Sequence, residues 1–330
     1  MAARPKALVV KLSSLGDVFH ALPAVQQLHD GLGLDIHWVT QPEYGALVAC
    51  FDPVSRVLPF PRRRFFRELP GWLRVLRAEP YEYVFDFQGL IKSALTGRLA
   101  RAGRRVGPSF HREGAWLAYD AVAGRRDRRR HAVDEALDFV RHFDLPVQPP
   151  AWKLNFPAAG QPGPSPRVGY LPCSRWVTKN WPPAHFAKLL PALHAQCGGS
   201  AWLFGSPADR AVCDALAQAA PEAAVFNRCG ATSLVELGGE LAGLDLLITV
   251  DSGPMHMAAA LGVPVLALFG ATDPGRTGPY GAGHRVLQHG GLDCQPCGSR
   301  RCLRTEQDNA CLQELAPERV LEAALQMLGR

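Results

Sequence analysis

Four short segments put acidic, basic and hydroxyl side chains where they could do chemistry, and each follows a run of apolar residues. In Lys11-Leu12-Ser13-Ser14-Leu15-Gly16-Asp17 a carboxylate stands where a helix begins, with His20 three residues on and on the same helix face. Two readings of Asp17 stay open: a carboxylate that favours the helix N-terminus, or a general base that His20 orients or assists. In Pro172-Cys173-Ser174-Arg175-Trp176-Val177-Thr178-Lys179-Asn180-Trp181-Pro182, Lys179 could neutralise a pyrophosphate and Ser174 could donate to one. The plain alternative for Lys179 is a surface lysine. Asp209, in Phe204-Gly205-Ser206-Pro207-Ala208-Asp209-Arg210, suits a ribose hydroxyl or a helix cap equally well.

The fourth segment is the most informative. The apolar run Leu246–Val250 empties into Asp251-Ser252-Gly253-Pro254. Proline suits the first turn of a helix because it gives up no needed N–H, and Ser252 and Gly253 leave the N-terminal amides open to an anion, phosphate above all. His256 then lies in the first helical turn, either as a core histidine or beside that anion site. None of the four is a P-loop or a dinucleotide fingerprint, since Gly-Lys-Ser/Thr is missing and the first segment has one glycine.

The elements that must position these residues alternate along the chain. Strands are predicted at 7–12, 35–40 and 84–87, with helices at 18–30, 65–77, 93–102 and 132–143. Seven prolines between Pro146 and Pro166 then exclude a long helix or a central strand and read as a linker. Beyond it, strands at 168–171, 201–204, 246–250 and 265–269 alternate with helices at 184–196, 208–219, 234–242 and 255–261, and a last helix spans 317–328. Such alternation predicts two doubly wound α/β domains with mainly parallel sheets. We divide the chain into a domain at 1–150, a linker at 151–166, a second domain at 167–312 and a terminal helix in 313–330. In such domains ligands gather at the carboxyl ends of strands, and a two-domain chain offers the cleft between them.

Composition narrows the classes. The 330 residues are 47% hydrophobic and 20% charged, ordinary for a globular protein with room for two cores. No apolar run is long enough for a membrane span, and MAARPK passes straight into a strand with no signal-peptide pattern, so a cytoplasmic chain with reduced cysteines is expected. Residues 1–150 carry 22 Lys/Arg against 16 Asp/Glu, whereas residues 151–330 carry 14 of each. All the excess charge thus belongs to the first half, densest at Arg62-Arg63-Arg64 and at 125–130. A solvated surface would explain it, but the clustering favours an anionic partner: a phosphorylated substrate, an acidic membrane face or nucleic acid. The basic runs lack interleaved stacking aromatics apart from Phe65-Phe66, which argues against nucleic acid. Cys294, Cys297, Cys302 and Cys311 crowd eighteen residues. Their spacing fits zinc patterns loosely, and free thiols or a redox-sensitive cluster are the alternatives.

The segments 9–25 (VVKLSSLGDVFHALPAV), 85–95, 111–120, 179–189, 250–281 and 317–320 together resemble the heptosyltransferases of lipopolysaccharide inner-core synthesis, glycosyltransferase family 9, and its type I branch in particular. The pairing of SSLGD with VDSGxxHxAAAL is specific, and the likeness runs nearly the whole chain. It implies a GT-B fold, two facing Rossmann-like domains with the terminal helix returning to the first. It implies inverting transfer of L-glycero-D-manno-heptose from ADP-heptose to a Kdo residue, with no cofactor or metal required.

Carried over by position, the resemblance makes Asp17 the base and Lys179 the cation at the donor diphosphate, and His20, on the same helix face, is placed to assist Asp17. It places Cys173, Ser174, Asp209, Thr232, Asp251, Ser252, Gly253 and His256 around the nucleotide sugar. Ser13, Gly16, Arg62, Arg63, Arg64 and Arg112 fall to a Kdo-lipid A acceptor, and the run at 125–130 to the anionic cytoplasmic face of the inner membrane, which makes the chain a peripheral protein. Nucleic acid is not an expected partner. Three departures stand out: Cys173 replaces a hydroxyl residue, the loop from Arg175 to Lys179 runs one residue long, and Asp209 is shorter than glutamate. The cysteine tail is no part of the type I pattern. Alternatives are another acceptor within the family or a sugar-nucleotide epimerase on the same architecture.

Overall fold

The computed structural model describes residues 4–61, 65–160, 162–304 and 309–330. Two compact units divide it, Met1–Asn155 and Phe156–Arg330. The first unit is built on β1 (Lys6–Val10), β2 (Asp35–Thr40), β3 (Val54–Pro59), β4 (Tyr81–Asp86), β5 (Ala102–Pro108) and β6 (Ala121–Ala123). They form one sheet in the order β3-β2-β1-β4-β5-β6, parallel at every pairing. The second unit uses β7 (Arg167–Leu171), β8 (Ser200–Leu203), β9 (Ala224–Asn227), β10 (Leu246–Val250), β11 (Val265–Leu268) and β12 (Arg285–Leu287). Their order, β12-β11-β10-β7-β8-β9, is the first order over again, also parallel throughout. Helices cover both faces of a parallel sheet, so its inner strands are largely buried; all five residues of β10 are buried.

The helices of the first unit are α1 (Leu15–Leu32), α2 (Gly45–Val48), α3 (Phe65–Leu76), α4 (Ile91–Leu99), α5 (Ala132–Ala136) and α6 (Asp138–His142). Those of the second are α7 (Pro183–Cys197), α8 (Arg210–Gln218), α9 (Leu234–Leu241), α10 (Gly253–Ala260), α11 (Pro274–Thr277), α12 (Ala310–Gln313) and α13 (Pro317–Met327). The single helix expected at 132–143 is two, with Leu137 ending α5 and opening α6. The strands missed by sequence, β3, β5, β6, β9 and β12, lie toward the sheet margins. They are short or half-exposed there and lack a continuous apolar run.

The resemblance implied a terminal helix returning to the first unit, whereas here the helix is part of the second. α13 packs on α7, and Val320, Ala323 and Ala324 enter the core of the second unit. Its apolar stripe is satisfied within that unit.

Part of the proline-rich segment is stitched to the first unit. α1 runs through Pro23, which has no N–H to give to the carbonyl of Phe19. The indole Nε1 of Trp152 donates to that carbonyl instead, at 2.9 Å. Asn155 N–H donates to Cys50 O at 2.8 Å, and Asp52 N–H to Lys153 O at 3.1 Å.

Candidate functional sites at the two switch points

In each unit the strand order reverses beside the first strand, between β1 and β4 and between β7 and β10. Open α/β sheets bind ligands at that crevice, off the carboxyl ends of the strands. Three of the four segments singled out by sequence emerge there.

At the first switch point β1 runs into the turn 11–14. The Lys11 ammonium is buried and donates to Phe87 O at 3.0 Å. The N–H groups of Leu12 and Ser13 both donate to Gln88 Oε1, each at 3.0 Å. Gln88 is itself held by the turn after β4. The buried Asp86 carboxylate accepts from Gln88 N–H (2.8 Å), Gly89 N–H (3.1 Å), Ser93 Oγ (2.8 Å) and the Tyr119 hydroxyl (2.7 Å). Burial pushes the Asp86 carboxyl up, and those four hydrogen bonds oppose it. Gly89 sits at φ +70°, where a Cβ would lie 2.9 Å from Pro108 Cγ and 3.2 Å from His111 Cα, so only glycine fits.

This scaffold presents Asp17. Its Oδ2 accepts from both the N–H and the hydroxyl of Ser14 at 2.8 Å, a capping box at the start of α1. Its Oδ1 lies 3.8 Å from Nδ1 of His20, and 44% of the side chain is exposed. The cap and the base are therefore not rival readings, because Oδ2 serves the helix and Oδ1 takes no part in the cap. Burial pushes the Asp17 carboxyl up, but the Lys11 ammonium, His20 and the Ser14 hydrogen bonds outweigh it and bring it to about 2. The group is ionised across the neutral range. His20 is buried and meets the ring of His131 edge-on at 5.4 Å.

Other expected acceptor residues scatter in status. Gly16 is buried in the first turn of α1. Arg112 is exposed, its backbone N–H bound to Gly89 O at 2.8 Å. Arg62, Arg63 and Arg64 lie outside the described residues. Arg125, Arg126, Arg128 and Arg129 are exposed, but Arg130 leaves that run: its guanidinium grips both Asp138 oxygens at 2.8 Å.

At the second switch point Lys179 and Asp251 come together. Lys179 Nζ lies 2.6 Å from Asp251 Oδ2, and the Thr272 hydroxyl donates to the same oxygen at 2.6 Å. Asp251 is buried. The ammonium also stands 4.6 Å over the Trp176 ring, which the Arg300 guanidinium approaches at 4.7 Å. Ser174 shapes the loop: its N–H donates to Asn180 Oδ1 at 2.7 Å and its hydroxyl to Trp176 O at 3.1 Å. Trp181 is buried as an anchor, its indole donating to Leu315 O at 2.9 Å. Ser252 opens α10 without a side-chain cap, its hydroxyl 3.4 Å from that of Thr249. α10 starts at Gly253 with Pro254 in its first turn, the end of a helix where backbone N–H groups carry partial positive charge. His256 is buried in the first turn.

The Asp209 carboxylate, one strand over, accepts from Ser206 N–H (2.8 Å) and Ser206 Oγ (2.6 Å), a cap like that of Asp17. Burial, then Asp209 and Cys229, push the Cys173 thiol up to about 12, so it acts as a neutral group. Thr232 is half-buried before the cap of α9. Thr272, Arg300 and Gln88 were not found by sequence, and Trp176 only as one of two tryptophans that marked its loop. Gln88 lies in the segment 85–95 that carries the family likeness, but its residue type gave no signal of its own.

The four tail thiols, Cys294, Cys297, Cys302 and Cys311, line one cavity of about 20 Å³. Burial, then the other three, pushes Cys311 up to about 11. Among the described residues no three His, Cys, Asp or Glu side chains are gathered to hold a metal ion.

The sequence matches glycosyltransferase family 9 (heptosyltransferase) over residues 72–307. It is 34% identical over 360 aligned residues to lipopolysaccharide heptosyltransferase 1 of Pseudomonas aeruginosa, spanning 97% of this chain and 98% of that protein. Among solved structures it is similar to Escherichia coli heptosyltransferase WaaC with ADP, at TM-score 0.79 and 26% identity over 98% of this chain and 99% of that one. The same enzyme with ADP-2-deoxy-2-fluoro heptose matches at TM-score 0.76 and 25% identity, over 97% and 99%. Two Rossmann-like parallel sheets are the architecture of a GT-B-type glycosyltransferase. The chain belongs to glycosyltransferase family 9, the heptosyltransferases, and is a transferase of lipopolysaccharide biosynthesis.

Proposed function

We propose that the enzyme moves L-glycero-D-manno-heptose from ADP-heptose to a Kdo residue of a Kdo-lipid A acceptor, inverting the anomeric centre. The observation that carries the donor side is the Lys179–Asp251 pair beside the open N-terminus of α10. An ammonium and a row of amides suit a diphosphate, and a buried carboxylate suits sugar hydroxyls. Asp209 and Thr232 fall to ribose and adenine, with Cys173, Ser174, Ser252, Gly253 and His256 around them.

The acceptor side belongs to Asp17. A sugar hydroxyl attacks the anomeric carbon as the bond from that carbon to the diphosphate oxygen breaks, and the hydroxyl proton passes to Asp17. Charge grows on the departing ADP, where Lys179, Ser252 and the amides near Gly253 stabilise it. The lowered pKa of Asp17 keeps the base ionised at the expense of basicity. His20 orients it, with Ser13 and Gly16 in the turn and Arg62, Arg63, Arg64 and Arg112 toward acceptor anions. In this scheme Lys179 fills the role a metal takes in other transferases, and no resident cofactor is invoked.

The protein works at the cytoplasmic face of the inner membrane as a peripheral protein. No helix among the described residues is long and apolar enough to cross a membrane. Incubation with ADP-heptose and Kdo-lipid A, read by mass spectrometry, should add one heptose to the acceptor. Transfer only to an acceptor already bearing heptose would move the enzyme to a later core step. An altered nucleotide sugar formed with no acceptor present would make it an epimerase.

A further inference from the structure

Helix α4 is packed inside out. It buries Ser93, Ala94, Thr96 and Gly97 against the sheet and turns Ile91, Lys92, Leu95, Arg98 and Leu99 to the outside. Small residues face inward because the helix lies close: a Cβ on Gly97 would sit 2.9 Å from Val84 Cγ1. The outward Ile91, Leu95 and Leu99 are spaced four apart and form a continuous stripe. The turn at Ala115–Ala118 packs beside α4 and adds Trp116, 53% exposed, and Leu117, 74% exposed. Val122, on the edge strand β6, extends the set. Six of the nine large apolar side chains exposed among the described residues fall within these 32 positions, 91–122. Scattered surface leucines need no explanation, whereas a stripe with a tryptophan beside it does.

The charge around the stripe says what covers it. Residues 91–130 hold eleven Lys/Arg and three Asp/Glu, a net +8, larger than the +6 of the whole chain. Lys92 and Arg98 flank the stripe on α4 itself, and Arg125, Arg126, Arg128 and Arg129 are exposed just beyond β6, with no ion pair among the described residues. A second copy of the chain would bring the same positive charge against itself. A bilayer rich in anionic headgroups accepts both features, apolar side chains below the headgroups and arginines among them.

We propose that the outer face of α4, with Trp116 and Leu117, docks the enzyme on an anionic lipid bilayer. This names the contact surface for the peripheral-membrane reading above and rests on it, yet its test needs no sugar substrate. The protein is sedimented with vesicles of phosphatidylethanolamine and phosphatidylglycerol, and separately with phosphatidylcholine vesicles. Binding to the first should exceed binding to the second, and L95E/L117E should weaken it by at least about tenfold. R125Q/R126Q/R128Q/R129Q should weaken it too, with a smaller dependence on salt than the unaltered protein shows.

Both leucines are exposed, so melting of L95E/L117E should match the parent. If that variant misfolds, quenching of tryptophan fluorescence by brominated lipid, lost in W116F, reads the same contact. Transfer to a water-soluble, deacylated acceptor should be unchanged in L95E/L117E, so failure of the sugar chemistry and failure of the docking are separately visible. Equal binding of L95E/L117E and parent overturns the proposal. So does binding that needs lipid A in the vesicle, or a lipid-independent dimer that L117E abolishes.

Discussion

The two units have the same sheet order and opposite working charges. The first, which carries the excess of arginine and lysine, offers a carboxylate at its switch point. The second, with a net charge of −1, offers an ammonium. They also differ in how the group is held. Asp17 keeps one oxygen outside its cap and is half-exposed, whereas Lys179 is locked at 2.6 Å to a buried aspartate that Thr272 also binds. Under the roles proposed above, the open carboxylate takes the proton of an arriving hydroxyl and the fixed ammonium meets the donor diphosphate. Fold repetition therefore fixes where ligands gather and leaves the chemistry to a few side chains on the loops.

Substitutions that damage one half and spare the other break this comparison. The largest effect is expected for Asp17→Asn, which should cut turnover by about 10²–10⁴ while ADP binding, followed by calorimetry, stays at the parent value. Undiminished turnover would remove Asp17 from the reaction. Next, Lys179→Ala should raise the dissociation constant for ADP about tenfold to a hundredfold, because charge-assisted hydrogen bonds carry that much. A matching loss of acceptor affinity would mean that Lys179 is not confined to the donor.

A stability test sharpens the picture of the first unit. Trp152→Phe leaves the buried Phe19 carbonyl, already deprived of a donor by Pro23, without its indole partner. The expected cost is about 1–3 kcal/mol in a urea titration, with ADP affinity unchanged.

The smallest effect concerns pH. Ser14 donates twice to Asp17, so Ser14→Ala should let the carboxyl rise toward its ordinary value. In the parent, a lowered carboxyl contributes stability above its unfolded value and loses it as pH falls toward about 2. The acid limb of the kcat/KM profile should accordingly lie below the usual carboxylate range in the parent and move upward in Ser14→Ala. An unmoved limb would assign it to another group.

Much of this was legible in residue order. The runs 35–40 and 246–250 match β2 and β10 to the residue, because inner strands of a parallel sheet are buried along nearly their whole length and bounded by turn residues. β9 and β12 were not legible, since half-exposed marginal strands need no such run. In the same way Asp17, Lys179 and Asp251 announce themselves by residue type after a strand. Gln88 does not, because its role comes from the strand beside it in space and 76 residues away in sequence.

Sequence alone determined the two-fold repetition of β and α, the ends of the strands where chemistry would sit, the family likeness and the uneven charge. These depend on local periodicity and residue type, which survive without contacts. Tertiary structure alone decided that Lys179 meets Asp251 and Thr272, that one oxygen of Asp17 is spent on a cap, that α13 stays with the second unit, and that α4 faces its leucines outward. Each of those depends on which strand lies next to which and how closely a helix approaches, and no spacing along a single chain encodes that.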